Sequence, residues 1–174
     1  MMARSTAAPV IALMAMLAAP VRAQETSVAL LGNWQGTYIC AQGKTGLTLT
    51  IDRQDGSTFS GVFQFYPLRE NITVPEGCFT VSGRIRSGGT LDVAGSKWIK
   101  RPAGYIIVDL HGRVGQGGTN MAGTVATPGY GRLCSRFELT LTTAEPAPDG
   151  ACRVEAPAVS SIPRSGEISL ATAP

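Results

Sequence analysis

Residues 47–65 read Leu-Thr-Leu-Thr-Ile-Asp-Arg-Gln-Asp-Gly-Ser-Thr-Phe-Ser-Gly-Val-Phe-Gln-Phe, and this stretch decides the fold. Leu47, Leu49 and Ile51 alternate with Thr48, Thr50 and Asp52, and after Asp55-Gly56 the residues Phe59, Phe63 and Phe65 alternate with Ser60, Val62 and Gln64. Period-two alternation puts one apolar face inward, and Asp-Gly tolerates the positive φ angles of a tight turn, so the stretch predicts a β-hairpin. The pattern recurs on both sides. Phe79, Val81 and Ile85 alternate with Thr80, Ser82 and Arg84, and Phe137, Leu139 and Leu141 with Arg136, Glu138 and Thr140.

Extended over the chain, the pattern predicts about eight strands. They cover residues 33–40, 45–52, 58–66, 78–86, 89–99 (as one strand or broken in two), 104–113, 119–127 and 134–142. Ser87-Gly88-Gly89 and Gly115-Gln116-Gly117-Gly118 are further hairpin signals. The fold class is therefore all-β: a small antiparallel up-and-down β-barrel, or else a β-sandwich. One recurrence favours the barrel. Gly36, Gly61, Gly83, Gly112 and Gly123 each stand between apolar residues on an inward face. Glycine weakens a strand, so its repetition there predicts sharp bending or close approach of another element. The spacings of 25, 22, 29 and 11 residues are too irregular for a solenoid or propeller.

The N-terminus carries Arg4, a short apolar run from Ile11 to Ala19, and Val21-Arg22-Ala23, the pattern of a secretory signal peptide. Its apolar run is about ten residues, half the roughly 20 needed to cross a bilayer. Residues 1–23 are read as this leader, 24–143 as the β domain, and 144–174 as a Pro/Ala-rich tail, disordered beyond about residue 160. No membrane span is expected in the mature chain, and its place is periplasmic or secreted. Loss of the leader leaves 13 basic and 12 acidic residues. That balance argues against nucleic acid as a partner, because neutralising several phosphates needs a clustered basic surface.

Catalytic and metal motifs are weak. Gly43-Lys44-Thr45 copies the end of a phosphate-binding loop, but Tyr38 stands where its first Gly belongs and a strand follows where a helix should. His111 is the single histidine, it sits mid-strand beside Gly112, and the chain has no Gly-x-Ser-x-Gly elbow. Asp52 and Asp55 flank a turn and read as turn formers. Without a Cys-x-x-Cys pair a zinc site would need scattered cysteines. No enzyme activity, metal or cofactor is expected. Asn71-Ile72-Thr73 fits a glycosylation triplet, and no function is assigned to it.

The densest local cluster is Lys97-Trp98-Ile99-Lys100-Arg101-Pro102-Ala103-Gly104-Tyr105. Trp98, Lys100, Arg101 and Tyr105 are the candidate binding residues, suited to an anionic or sugar-like surface through stacking and charge. The competing reading makes Trp98 and Tyr105 core residues at the ends of a connection, with the cations as its solvated rim.

At Trp34-Gln-Gly-Thr-Tyr-Ile-Cys-Ala-Gln-Gly43, Leu47-Thr-Leu-Thr-Ile51, Trp98-Ile-Lys-Arg-Pro-Ala-Gly-Tyr105, and Cys134 before Phe137-Glu-Leu139, the chain resembles an uncharacterised group of exported proteobacterial domains. Some of these are joined to caspase-like peptidases. The resemblance spans about 110 residues and implies an accessory or recognition role. It also implies a bridge from Cys40 to Cys134, which leaves Cys78 for Cys152. Parity opposes the first pair, because Cys40 is in phase with Trp34 and Tyr38 whereas Cys134 is out of phase with Phe137 and Leu139. A bulge near Arg132 or a strand-end position would reconcile them; Cys40 with Cys78 and Cys134 with Cys152 stays open. Four cysteines in an oxidising compartment predict two disulfides in either case.

Tyr38-Ile39-Cys40 and Ser60-Gly61 are similar to features of periplasmic inhibitors of C-type lysozyme, small eight-stranded barrels. Those inhibitors continue to a Tyr where this chain has Phe63, so no inhibitory residue is carried over. Gly32-Asn33-Trp34 is similar to the opening of lipocalin and avidin barrels, and three residues imply no ligand. The expected function is a non-enzymatic binding or accessory domain of the bacterial envelope that holds a protein or glycan. The alternative is an inhibitor of a lysozyme or another hydrolase.

Overall fold

The computed structural model describes residues 28–146 together with Cys152 and Arg153. The leader assigned to residues 1–23 and most of the tail at 144–174 lie outside the described residues. Eight strands follow one another: β1 (Gly32–Cys40), β2 (Gly43–Asp55), β3 (Thr58–Tyr66), β4 (Gly77–Ile85), β5 (Thr90–Lys100), β6 (Asp109–Val114), β7 (Asn120–Ala126) and β8 (Cys134–Thr143). Each pairs antiparallel with the next, and β8 returns to pair with β1, so the sheet closes into an up-and-down barrel. Closure decides between the two expected architectures. A sandwich would leave edge strands, whereas here every strand has two neighbours.

The alternation seen in the sequence is the inside and outside of this barrel. Trp34, Leu47, Leu49, Ile51, Phe63, Phe65, Phe79, Leu91, Leu110 and Phe137 are all but excluded from solvent. Phe63 stacks on Phe79 with ring centroids 4.6 Å apart, and Tyr38 meets Phe63 edge-on at 5.4 Å. Each such side chain contributes roughly 1.5–3 kcal/mol by leaving water. The inward glycines sit where strands crowd: a Cβ on Gly61 would strike the Thr50 carbonyl, and one on Gly36 the Glu138 carbonyl. Close backbone approach, required to curl a narrow sheet, is the reason for the repeated glycine.

Two readings are corrected in detail. The fifth strand is not broken in two but bulged, because Phe79 pairs with Trp98 while Val81 pairs with Gly95. The extra residue shifts the phase so that Trp98 turns to the core side. The sixth strand begins at Asp109 rather than 104. β5 and β6 pair only over Thr90–Val93, so the apolar run Tyr105–Val108 is an unpaired connection despite its strand-like composition.

The ends of the barrel differ. At the end where β1 starts, Leu30 is fully buried and its carbonyl accepts a hydrogen bond from Trp34 Nε1 at 2.8 Å. Gln54 holds the same segment, accepting from Leu30 N at 2.7 Å and donating to the Val28 carbonyl at 2.9 Å. This end is closed. The β1–β2 turn, the β3–β4 loop, the β5–β6 connection and the β7–β8 loop all gather at the other end, the mouth.

Both disulfides form with the pairing implied by the resemblance, Cys40 to Cys134 and Cys78 to Cys152. Cys40 and Cys134 are cross-strand partners at the mouth end of β1 and β8. The parity conflict disappears because Tyr38 pairs with Phe137, so β8 has two residues between its paired positions where β1 has one. The irregularity lies between Cys134 and Phe137 rather than near Arg132. The second bridge is on the outer surface, where Cys152 packs over Cys78, Val62 and Ile99. Val62 points outward as the alternation requires, yet is 1% exposed, packed in one cluster with Cys78 and Cys152.

Candidate functional site at the barrel mouth

A pocket of about 370 Å³ opens at the mouth between the β1–β2 turn, the β5–β6 connection and the β7–β8 loop. Tyr38, Tyr105, Ile106, Val108, Tyr130 and Leu133 supply most of its wall, with the Cys40–Cys134 bridge beside them. Gln42 is its main polar group, donating through Nε2 to Tyr38 Oη at 3.1 Å and to Thr45 Oγ1 at 3.4 Å. Burial keeps the Tyr38 phenol far above its ordinary pKa, with the nearby Tyr105 adding to the shift, and burial also raises Tyr105. Both are neutral at physiological pH. They can donate or accept a hydrogen bond but carry no charge.

Of the large apolar residues that line this pocket, those on the β7–β8 loop are the most exposed. Tyr130 is 60% exposed and Leu133 44% exposed, on a loop cross-braced by Tyr130 N to the Thr127 carbonyl at 3.0 Å and by Thr127 Oγ1 to the Gly131 carbonyl. Gly129 and Gly131, which flank Tyr130, have φ of 80° and 70°, a conformation that costs glycine little. The chain folds back sharply around Tyr130 and lifts its ring to the surface.

A second, more polar pocket of about 530 Å³ adjoins the first and shares Ile106 and Tyr130 with it. Its lining includes Trp98, Arg101, Ser96, Ile107 and Asp109. Arg101 Cζ lies 5.9 Å from the centre of the Trp98 ring. Asp109 accepts from Gly95 N through Oδ1 at 2.9 Å, which ties the start of β6 to the unpaired half of β5.

The four residues expected from sequence are thus divided. Trp98 and Arg101 line the second pocket and Tyr105 the first. Both aromatics also belong to the core edge: Phe65 stacks on Tyr105 at 5.1 Å, and Trp98 meets Phe65 and Phe79 edge-on at 6.4 and 5.3 Å. Lys100 lines neither pocket; its Nζ is 3.4 Å from Glu76 Oε2 in an exposed ion pair. Sequence reading missed Tyr38, Ile106, Tyr130 and Leu133. A large aromatic inside the turn-rich Pro128-Gly129-Tyr130-Gly131 was the available signal, because such loops are usually polar.

His111 lies on the outer face of β6, away from the mouth, with Nδ1 3.0 Å from Asp92 Oδ1. Arg86 approaches the other carboxylate oxygen at 2.7 Å. The hydrogen bond with His111 and then the Arg86 charge hold the Asp92 carboxyl below its usual range. Among the described residues no serine hydroxyl hydrogen-bonds His111. Asn71, the head of the glycosylation triplet, has a structural use: its Nδ2 donates to the carbonyls of Gln42 at 2.7 Å and Lys44 at 3.1 Å, pinning the β1–β2 turn.

No known protein family, curated protein or solved structure matches the chain. Among the described residues no helix is long and apolar enough to cross a membrane.

Proposed function

We propose that this protein is an exported, non-enzymatic binding module of the bacterial envelope that holds its partner at the barrel mouth. The observation that carries the reading is the apolar pocket walled by Tyr38, Tyr105, Tyr130 and Leu133, of which the last two stand exposed on a braced loop. A rigid apolar pocket with a few polar groups on its wall is the usual form of a recognition site. Burial keeps the Tyr38 and Tyr105 phenols neutral, and Cys40 and Cys134 are bridged, which suits binding rather than acid–base or nucleophilic chemistry. Two disulfides accord with a periplasmic or secreted location. The partner is a protein or glycan of the cell envelope. The test is recovery of a partner from envelope extracts by the wild-type protein and by Tyr130→Ala and Leu133→Ser variants. The reading expects at least about fivefold lower recovery with either variant and fails if recovery is unchanged.

A second reading rests on Tyr130 itself, an aromatic lifted on a tight loop, the form an inhibitor uses to enter an enzyme cleft. Lysis of cell-wall suspensions by several lysozymes in the presence of micromolar protein decides it. Inhibition lost in Tyr130→Ala supports this reading, and unchanged lysis removes it for those enzymes.

A further inference from the structure

The two adjoining pockets differ in chemistry, and the difference points to the kind of group that would fill both. The first is shallow, because Phe63 and Phe79 fill the barrel directly beneath Tyr38 and are 1% exposed. At about 370 Å³ it accepts one large side chain and cannot take a long acyl chain into the interior. Among the described residues no acidic side chain lines it. Across the Tyr130 ridge, the second pocket offers a guanidinium. Arg101 is exposed, with its Cζ 5.9 Å from the centre of the Trp98 ring, and among the described residues no carboxylate is within ion-pair distance of it. Lys44 and Lys100 at the same end of the barrel do have such partners, Glu70 and Glu76. Arg132 adds a second exposed cation in the loop between Tyr130 and Leu133. Among the described residues Asp109 is the single acidic residue lining the second pocket, and its Oδ1 is engaged by Gly95 N.

We infer that the mouth takes an acidic loop of a partner protein that carries one aromatic side chain. The aromatic group fills the pocket between Tyr38, Tyr105 and Leu133, and a neighbouring carboxylate crosses Tyr130 to bond Arg101. This deepens the binding role proposed above and rests on it. A planar guanidinium near an indole favours a carboxylate through paired, charge-assisted hydrogen bonds, an interaction that a neutral ligand cannot make there.

The test uses isotope-labelled protein purified from the periplasm of an expression host, titrated by NMR with capped Glu-Trp-Glu, Gln-Trp-Gln and Glu-Ala-Glu peptides and with chitotriose. Glu-Trp-Glu should shift the amides of Ile106, Tyr130 and Leu133 and bind about five- to tenfold more tightly than either of the other peptides. Arg101→Gln should bring Glu-Trp-Glu to the level of Gln-Trp-Gln and leave the latter unchanged, with the remaining spectrum verifying the fold. Equal binding of the two Trp peptides at the mouth, or an Arg101→Gln variant that still prefers Glu-Trp-Glu, overturns the inference but keeps the mouth as a binding site. Shifts at the mouth with chitotriose alone overturn it in favour of a glycan. If no probe moves the mouth, both the inference and the binding role proposed above fall.

Discussion

Replacing Cys40 and Cys134 together by serine should cost about 3 kcal/mol of stability without opening the barrel. The bridge joins residues 94 apart, and in an otherwise unlinked chain that loop corresponds to about 4.7 kcal/mol of lost denatured-state entropy. The chain is not otherwise unlinked. With Cys78–Cys152 closed, the shortest covalent path from Cys40 to Cys134 runs through the second bridge and is about 57 residues long, which lowers the figure to about 4.2 kcal/mol. Residual compactness of the unfolded chain lowers it further. The folded state should change little, because the β1–β8 ladder from Trp34–Leu141 to Tyr38–Phe137 does not depend on the sulfurs. For about 120 folded residues, 3 kcal/mol corresponds to a fall in Tm of roughly 12 °C. Urea unfolding followed by tryptophan fluorescence, with far-UV circular dichroism as a check on the fold, gives the number. A loss below about 1 kcal/mol, or a native spectrum that differs from the wild type, would refute the entropic argument.

Gly61→Val should cost at least about 3 kcal/mol or prevent folding, since the added Cβ meets the Thr50 carbonyl and backbone cannot yield as a side chain can, whereas Ser60→Val on the outer face should cost under about 1 kcal/mol; equal effects in urea melts would count against the close approach. Burial raises the Tyr38 pKa, so the folded protein keeps a proton that the unfolded chain releases near pH 10. The stabilisation is complete below that pH and is lost above it, so the urea midpoint should fall more steeply between about pH 9.5 and 11 in the wild type than in Tyr38→Phe; parallel curves would contradict this. Replacing Cys78 and Cys152 by serine should cost less than replacing the first pair, because residue 152, once released from position 78, regains freedom in the folded state too, and the backbone around Val62 should become more accessible to hydrogen exchange. A larger loss than for Cys40 and Cys134 would reverse that ranking.

Local chemistry made most of the barrel legible. Alternation at Leu47–Ile51 and Phe59–Phe65 and the turn at Asp55-Gly56 are settled within a few residues, and the structure places the hairpin where they put it. Closure was signalled by the inward glycines, whose reason is a contact with the neighbouring strand. What the alternation could not convey is where hydrogen bonding stops. Tyr105 to Val108 are as apolar as a strand, yet β5 has already bulged away and leaves them unpaired. The site was legible only in its contiguous part. Trp98, Arg101 and Tyr105 lie within eight residues, whereas Tyr38, Tyr130 and Leu133 join Tyr105 only because the barrel closes and sets the ends of β1, β5 and β7 around one opening. Lys100 belongs to the same cluster in sequence, but its exposed pairing with Glu76 directs it elsewhere.

Site-specific photo-cross-linking in envelope fractions tests the mouth as the binding surface most directly, with a photoreactive phenylalanine placed in turn at Tyr130 and at Thr140, an exposed position on the outer face of β8. A discrete adduct from position 130 that is absent from position 140 and is competed away by unlabelled protein is the predicted result. An adduct of equal yield from position 140, or none from position 130 while another face of the barrel captures a partner, would contradict the account.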